Sequence, residues 1–107
     1  MRGEVWFVGM PAGEGREQRG DRPAVVISEP EAGTVVIVPL TTNLQALKYP
    51  HTAEVLPTPK NGLASVSVAL VFQMRAIDRS RLMNKVGTLE GGSLAEINKL
   101  IKSLLAI

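Results

Sequence analysis

A chain of 107 residues with 45% hydrophobic residues and a net charge of +2 fits one domain, residues 1–107, with room for an apolar core. It contains no cysteine and one histidine, which excludes a disulfide scaffold, a thiolate zinc site, a Cys nucleophile and a multi-His metal centre. No apolar run reaches the roughly 20 residues needed to span a bilayer, and no signal sequence precedes the first strand, so a cytoplasmic protein without a membrane partner is expected.

Val5-Trp6-Phe7-Val8 is β-branched and aromatic and predicts a first strand. Met10 to Asp21 is rich in Gly, Arg and Glu and keeps no apolar period, so it is a long loop of the kind that often carries function. Pro23 to Ser28 is a continuous apolar run, read as a buried strand with Pro23 at its first position. Glu29 to Gly33 predicts a turn, and Thr34 to Leu40 the next strand, closed by Thr41-Thr42-Asn43. Residues 44 to 50 form a second loop. His51 to Leu56 reads as a short strand, and Pro57, Pro59 and Asn61-Gly62 as a connector. Ser65 to Met74 is the third apolar run. Asp78 to Leu82 predicts one helical turn capped by Asp78, and residues 83 to 88 a last strand.

The end of the chain predicts a helix. Ser93 and Glu96 match a capping box, and Leu94, Ile97, Leu100, Ile101, Leu104 and Leu105 recur at helical spacing for packing on a sheet. The whole reads as an α+β domain, a small antiparallel β-barrel closed by one C-terminal helix.

The charge distribution is more informative than its sum. Arg16, Arg19 and Arg22 crowd one loop, and Arg75, Arg79, Arg81 and Lys85 a later segment. This pattern suits either nucleic-acid binding or a plain solvated surface. Arg22 stands where a loop enters a buried strand, and a guanidinium fork there suits phosphate oxygens; a surface arginine packed on Pro23 would look the same. Thr41 ends a neighbouring strand and could place a hydroxyl beside Arg22, or simply close the strand through local bonds. Glu17 could accept a proton from a ribose hydroxyl, or pair with Arg16 or Arg19. His51, the lone histidine, has no carboxylate at a suggestive spacing. Ser65 and Ser67 lack the nucleophile elbow of a serine hydrolase.

Several stretches in order then resemble the MazF/PemK toxin family. Arg2-Gly3-Glu4-Val5-Trp6 matches its opening. Glu17-Gln18-Arg19-Gly20-Asp21-Arg22-Pro23, with the Ala24 to Ser28 run behind it, matches its E-Q-x-G-x-R-P signature. Val36-Ile37-Val38-Pro39-Leu40-Thr41 matches its strand ending in P-[IVL]-T, and Ser67 through Gln73, Arg75, Ile77 and Asp78 its third block. The resemblance spans nearly the whole chain.

It implies an SH3-like antiparallel β-barrel with a C-terminal α-helix. It also implies a type II toxin that cuts single-stranded RNA without a metal or other cofactor, leaving a 2′,3′-cyclic phosphate and a 5′-hydroxyl. The partners it implies are the RNA substrate, a second copy of the chain and a cognate antitoxin, the toxin–antitoxin complex binding DNA. By the resemblance Arg22, Thr41 and Glu17 occupy the catalytic positions, and Arg16, Gln18, Arg19, Gln73 and Arg75 contact RNA. Two positions depart from the pattern: Phe72 stands where some members have an acid, and Arg16 where some have a histidine. Phe72 is expected in the core, with stacking on an RNA base as the alternative. The rival reading of the chain is a non-catalytic SH3-like module that binds nucleic acid or protein.

Overall fold

The computed structural model describes residues 1–10 and 20–107. β1 (Glu4–Met10), β2 (Gly20–Val26) and β3 (Thr34–Thr41) follow one another as antiparallel neighbours. β4 (Thr52–Val55), β5 (Ser67–Leu70), β6 (Arg75–Asp78) and β7 (Leu82–Thr88) complete seven strands, and α1 (Gly91–Leu105) ends the chain. The sheet runs β4-β5-β3-β2-β1-β7, with β6 also on β3. The α+β architecture with one closing helix is as expected. Among the described pairings none joins β7 to β4, so those two strands are the ends of the path.

β3 organises the site. One of its edges pairs β2, from Val26↔Ile37 to Ala24↔Pro39. Its other edge takes β6, from Thr34↔Asp78 to Ile37↔Arg75, and then β5, at Leu40↔Ala69 and Thr41↔Val68. β5 and β6 are therefore one chain segment interrupted by the 3-10 turn Val71–Gln73, and the register shifts by three residues across it. Pro39, which has no N–H to give, stands where this interruption leaves β3 without a partner on that edge. The sequence merges residues 65 to 74 into one run and misses β6, a four-residue strand in which Ile77 alone is buried.

β2 reads as continuously apolar because both of its faces are covered. Val25 joins the larger core with Val5, Val38, Leu40 and Val71, while Ala24 and Val26 join a second cluster with Val8, Val35 and Ile37. α1 lies over the larger core. Ile97 is fully buried there, with Leu94, Leu100, Ile101 and Leu104 packed around it. Burial of that size is worth about 2–3 kcal/mol for Ile97. Leu105, expected on the same face, is exposed instead.

The predicted capping box is not the start of the helix. α1 begins at Gly91 with Glu90 in the extended N-cap position, so Ser93 lies inside the first turn, and no side chain caps it. Leu94 N–H donates to Glu90 C=O at 3.0 Å, so the helix is set by the chain leaving β7 and not by the Ser93–Glu96 pair. Asp78 does cap its 3-10 turn, accepting from Ser80 N–H at 2.8 Å.

The connector before β5 is clamped from inside. Asn61 is fully buried, and its Oδ1 accepts from the N–H groups of Thr58 and Leu63, each at 3.0 Å. Its Nδ2 donates to Leu56 C=O at 2.9 Å and to Glu90 Oε1 at 3.1 Å. The connector meets β7 so closely that a Cβ on Gly87 would lie 2.5 Å from Asn61 carbonyl carbon. Gly62, at φ +69°, would place its Cβ 2.2 Å from Val86 carbonyl oxygen. Only glycine satisfies both contacts.

Candidate active site

Thr41 is the last residue of β3 and is 7% exposed. Asn43 N–H donates to Thr41 Oγ1 at 3.2 Å, and Asn43 Oδ1 accepts from Gln45 N–H at 3.1 Å. The local bonding that commonly closes a strand is therefore present, and it also starts the 3-10 turn Leu44–Lys48 in a segment expected as plain loop. For Thr41 the bond uses an oxygen lone pair, so the hydroxyl proton remains available to a ligand oxygen.

Thr41 lines a cleft of about 470 Å³. Thr41 and Asn43 contribute from the end of β3, Tyr49 from just past the first 3-10 turn, and Phe72 and Gln73 from the second, over a floor of Leu70. Interrupting β5 and β6 has a purpose in this geometry: a continuous strand would alternate these side chains across the sheet, whereas the turn delivers Phe72 and Gln73 to one place.

Arg22 enters from the other edge of β3. The β2–β3 register, carried two positions past Ala24↔Pro39, sets Arg22 across from Thr41. Residues directly opposed in an antiparallel pair project to the same face. On its other side Arg22 pairs with Val8 of β1, so the central strands hold its backbone, and its side chain is half-buried.

The structure thus brings Thr41 and Gln73 into one cleft and places Arg22 beside it by register. Arg75 does not line that cleft. It pairs with Ile37, four residues back along β3, which is about 13 Å from Thr41. Arg16, Glu17, Gln18 and Arg19 lie outside the described residues. His51 is turned elsewhere: its Nε2 is 3.3 Å from Ser103 Oγ on α1, and it adopts a left-handed backbone at φ +58° where the chain turns into β4. Phe72 is not in the core. It is 38% exposed, and its ring packs on Tyr49, which sequence reasoning left in a loop; the centroids are 5.8 Å apart and the planes tilted by 55°. The one signal in the sequence was scarcity: the chain has only one Trp, one Tyr and two Phe.

Four described carboxylates, Glu4, Glu29, Asp78 and Glu90, are held below their ordinary pKa, and Glu4 and Glu90 brace the sheet and the connector. Glu4 is held below its ordinary pKa by Trp6 indole N–H, with Lys85 adding charge. Glu90 is lowered by Thr58 hydroxyl and, further, by Asn61 amide. Neither lines the Thr41 cleft. Among the described residues no group of three or more His, Asp or Glu side chains is placed to hold a metal ion, and no helix is long and apolar enough to cross a membrane.

Known proteins are similar to this chain over most of their length. Endoribonuclease MazF9 of Mycobacterium tuberculosis is 32% identical over 110 residues, covering 94% of this chain and 92% of its own. Endoribonuclease EndoA of Bacillus subtilis is 29% identical, covering 99% and 94%. The crystal structure of MazF from Deinococcus radiodurans superposes with a TM-score of 0.80 at 29% identity, covering 99% of this chain and 96% of that one. A MazE–MazF complex from the same organism matches with a TM-score of 0.72 at 30% identity, covering 98% and 94%. The sequence model of the PemK-like, MazF-like toxins of type II toxin–antitoxin systems matches residues 1–105, and the chain belongs to that family.

Proposed function

We propose that this protein, a toxin of a type II toxin–antitoxin system and an endoribonuclease, cuts single-stranded RNA at the Thr41 cleft by in-line attack of a ribose 2′-hydroxyl on the adjacent phosphate. The bond from phosphorus to the 5′-oxygen breaks as the new one forms, giving a 2′,3′-cyclic phosphate and a 5′-hydroxyl. The phosphorane-like transition state carries extra negative charge on its oxygens. Arg22 stabilises that charge and orients the phosphate, and Thr41 donates a hydrogen bond to one of its oxygens. A guanidinium with a pKa above 12 is a poor proton donor near neutral pH, so its role here is electrostatic. Glu17 takes the proton from the 2′-hydroxyl. Arg16, Gln18, Arg19, Gln73 and Arg75 hold flanking parts of the strand.

The observation that carries the reading is the β2–β3 register, which extended two positions past Ala24↔Pro39 brings Arg22 level with Thr41, whose hydroxyl oxygen accepts from Asn43 N–H and spends no proton on that bond. The reaction needs no metal, in keeping with a chain that has no cysteine and one histidine. The protein acts in the cytoplasm as a homodimer restrained by a cognate antitoxin, and the toxin–antitoxin complex binds DNA.

The experiment is to incubate pure protein with a long single-stranded RNA in EDTA and map the ends. Cuts bearing 2′,3′-cyclic phosphate and 5′-hydroxyl termini are expected. Intact RNA would favour a binding module that cuts nothing. Activity restored only by a divalent cation would contradict the mechanism.

A further inference from the structure

Tyr49 and Phe72 share the cleft with Thr41, yet transition-state stabilisation uses neither. Both rings are substantially exposed, at 50% and 38%, in a chain with one tyrosine and two phenylalanines. They come from two separate 3-10 turns, and the tilted contact between them fixes each ring against the other. The contact is tilted and not stacked, so it leaves aromatic surface open, and both residues line the cleft. Lys48 Nζ sits over the Tyr49 ring, 5.3 Å from its centre, so a cation stands against the aromatic pair. The described cleft walls carry no carboxylate.

We infer that the Tyr49–Phe72 pair is a nucleobase subsite, on which the base of a nucleotide next to the cleaved phosphate stacks while Lys48 meets that strand's phosphates. The inference rests on the proposed RNA cleavage at Thr41 and adds to it the group that positions the strand. An aromatic surface accepts any base by its π-face, and stacking there is typically worth about 5- to 150-fold in affinity per base. A basic rim favours a polyanion over an apolar peptide. A ring pair already packed together loses little conformational freedom when a base arrives.

The single tyrosine allows a direct test. Incorporation of 3-fluorotyrosine labels Tyr49 alone, and its ¹⁹F resonance reports ring stacking. The probes are a single-stranded oligonucleotide of mixed sequence lacking 2′-hydroxyls, which cannot be cut by this chemistry, and an abasic phosphodiester backbone of equal length. The resonance is expected to move with the first probe and stay with the second. Tyr49→Ala and Phe72→Ala should each weaken oligonucleotide binding and raise KM for RNA about tenfold, while Tyr49→Phe keeps wild-type behaviour. An unmoved resonance, with both alanine variants binding as wild type in a protein that still cuts RNA in a Thr41-dependent way, overturns the subsite and leaves the cleavage reading standing. Equal shifts with the abasic backbone overturn it too, because the ring then answers phosphate and not a base. A shift with an acidic peptide but none with the oligonucleotide overturns it in favour of a protein ligand. Failure to bind or cut any RNA overturns both readings.

Discussion

The backbone N–H of Asn43 donates to Thr41 Oγ1 at 3.2 Å, a bond that engages an oxygen lone pair and not the hydroxyl proton of this cleft-lining residue. Thr41→Val keeps the shape and removes the hydroxyl. It should lower the RNA cleavage rate about 10²-fold, the usual cost of losing a key transition-state donor, while costing about 1 kcal/mol of stability. Thr41→Ser should retain most of the rate. A kinetic comparison of both variants with wild type, alongside urea unfolding, separates the two effects.

The base assignment falls on Glu17, which precedes β2 in the chain. Glu17→Gln should flatten the acidic limb of the pH–rate profile. His51→Ala should leave the profile unchanged, because the imidazole lies against Ser103 and away from the cleft walls. The opposite pair of results would show that His51, and not Glu17, takes the proton.

The connector clamp predicts stability effects remote from the chemistry. Asn61→Ala strands the N–H groups of Thr58 and Leu63 and should cost about 2–4 kcal/mol. Gly87→Ala must push the connector off β7 and should cost about 1–3 kcal/mol. Denaturant midpoints check both.

Glu90 links the same clamp to pH. Hydrogen bonds from Thr58 and Asn61 hold its folded pKa below the ordinary carboxylate value. Such a group contributes stability that is fully present above its unfolded pKa and is lost as pH falls through the folded one. The stability gap between wild type and Glu90→Gln should therefore be widest near neutrality and close below about pH 4. A gap that persists unchanged in acid would place the effect in packing.

How far the sequence carries this account depends on where the information resides. β2 and β3 are legible as apolar runs because both faces of β2 are buried, and the Asp78 cap is legible because it is a local bond. The start of α1 is not: two glycines in its first turn carry no helix signal, while Ser93 and Glu96 imitate one. β6 is hidden because four residues with one buried side chain show no period, and its partner is fixed by the looped-out Val71–Gln73 turn. Thr41 and Arg22 stand out through motif resemblance, but that the β2–β3 register, extended past Ala24↔Pro39, brings them level is a matter of strand pairing. The Tyr49–Phe72 contact joins residues 23 apart in the chain through two 3-10 turns, and no local pattern announces it.

The central claim is that Arg22, across from Thr41, stabilises the transition state of RNA cleavage. Its most direct test is kcat/KM for RNA cleavage by Arg22→Ala against wild type in EDTA, with folding of both verified by circular dichroism. The account predicts a folded variant about 10²-fold or more slower. A folded Arg22→Ala protein cutting RNA at the wild-type rate would contradict it.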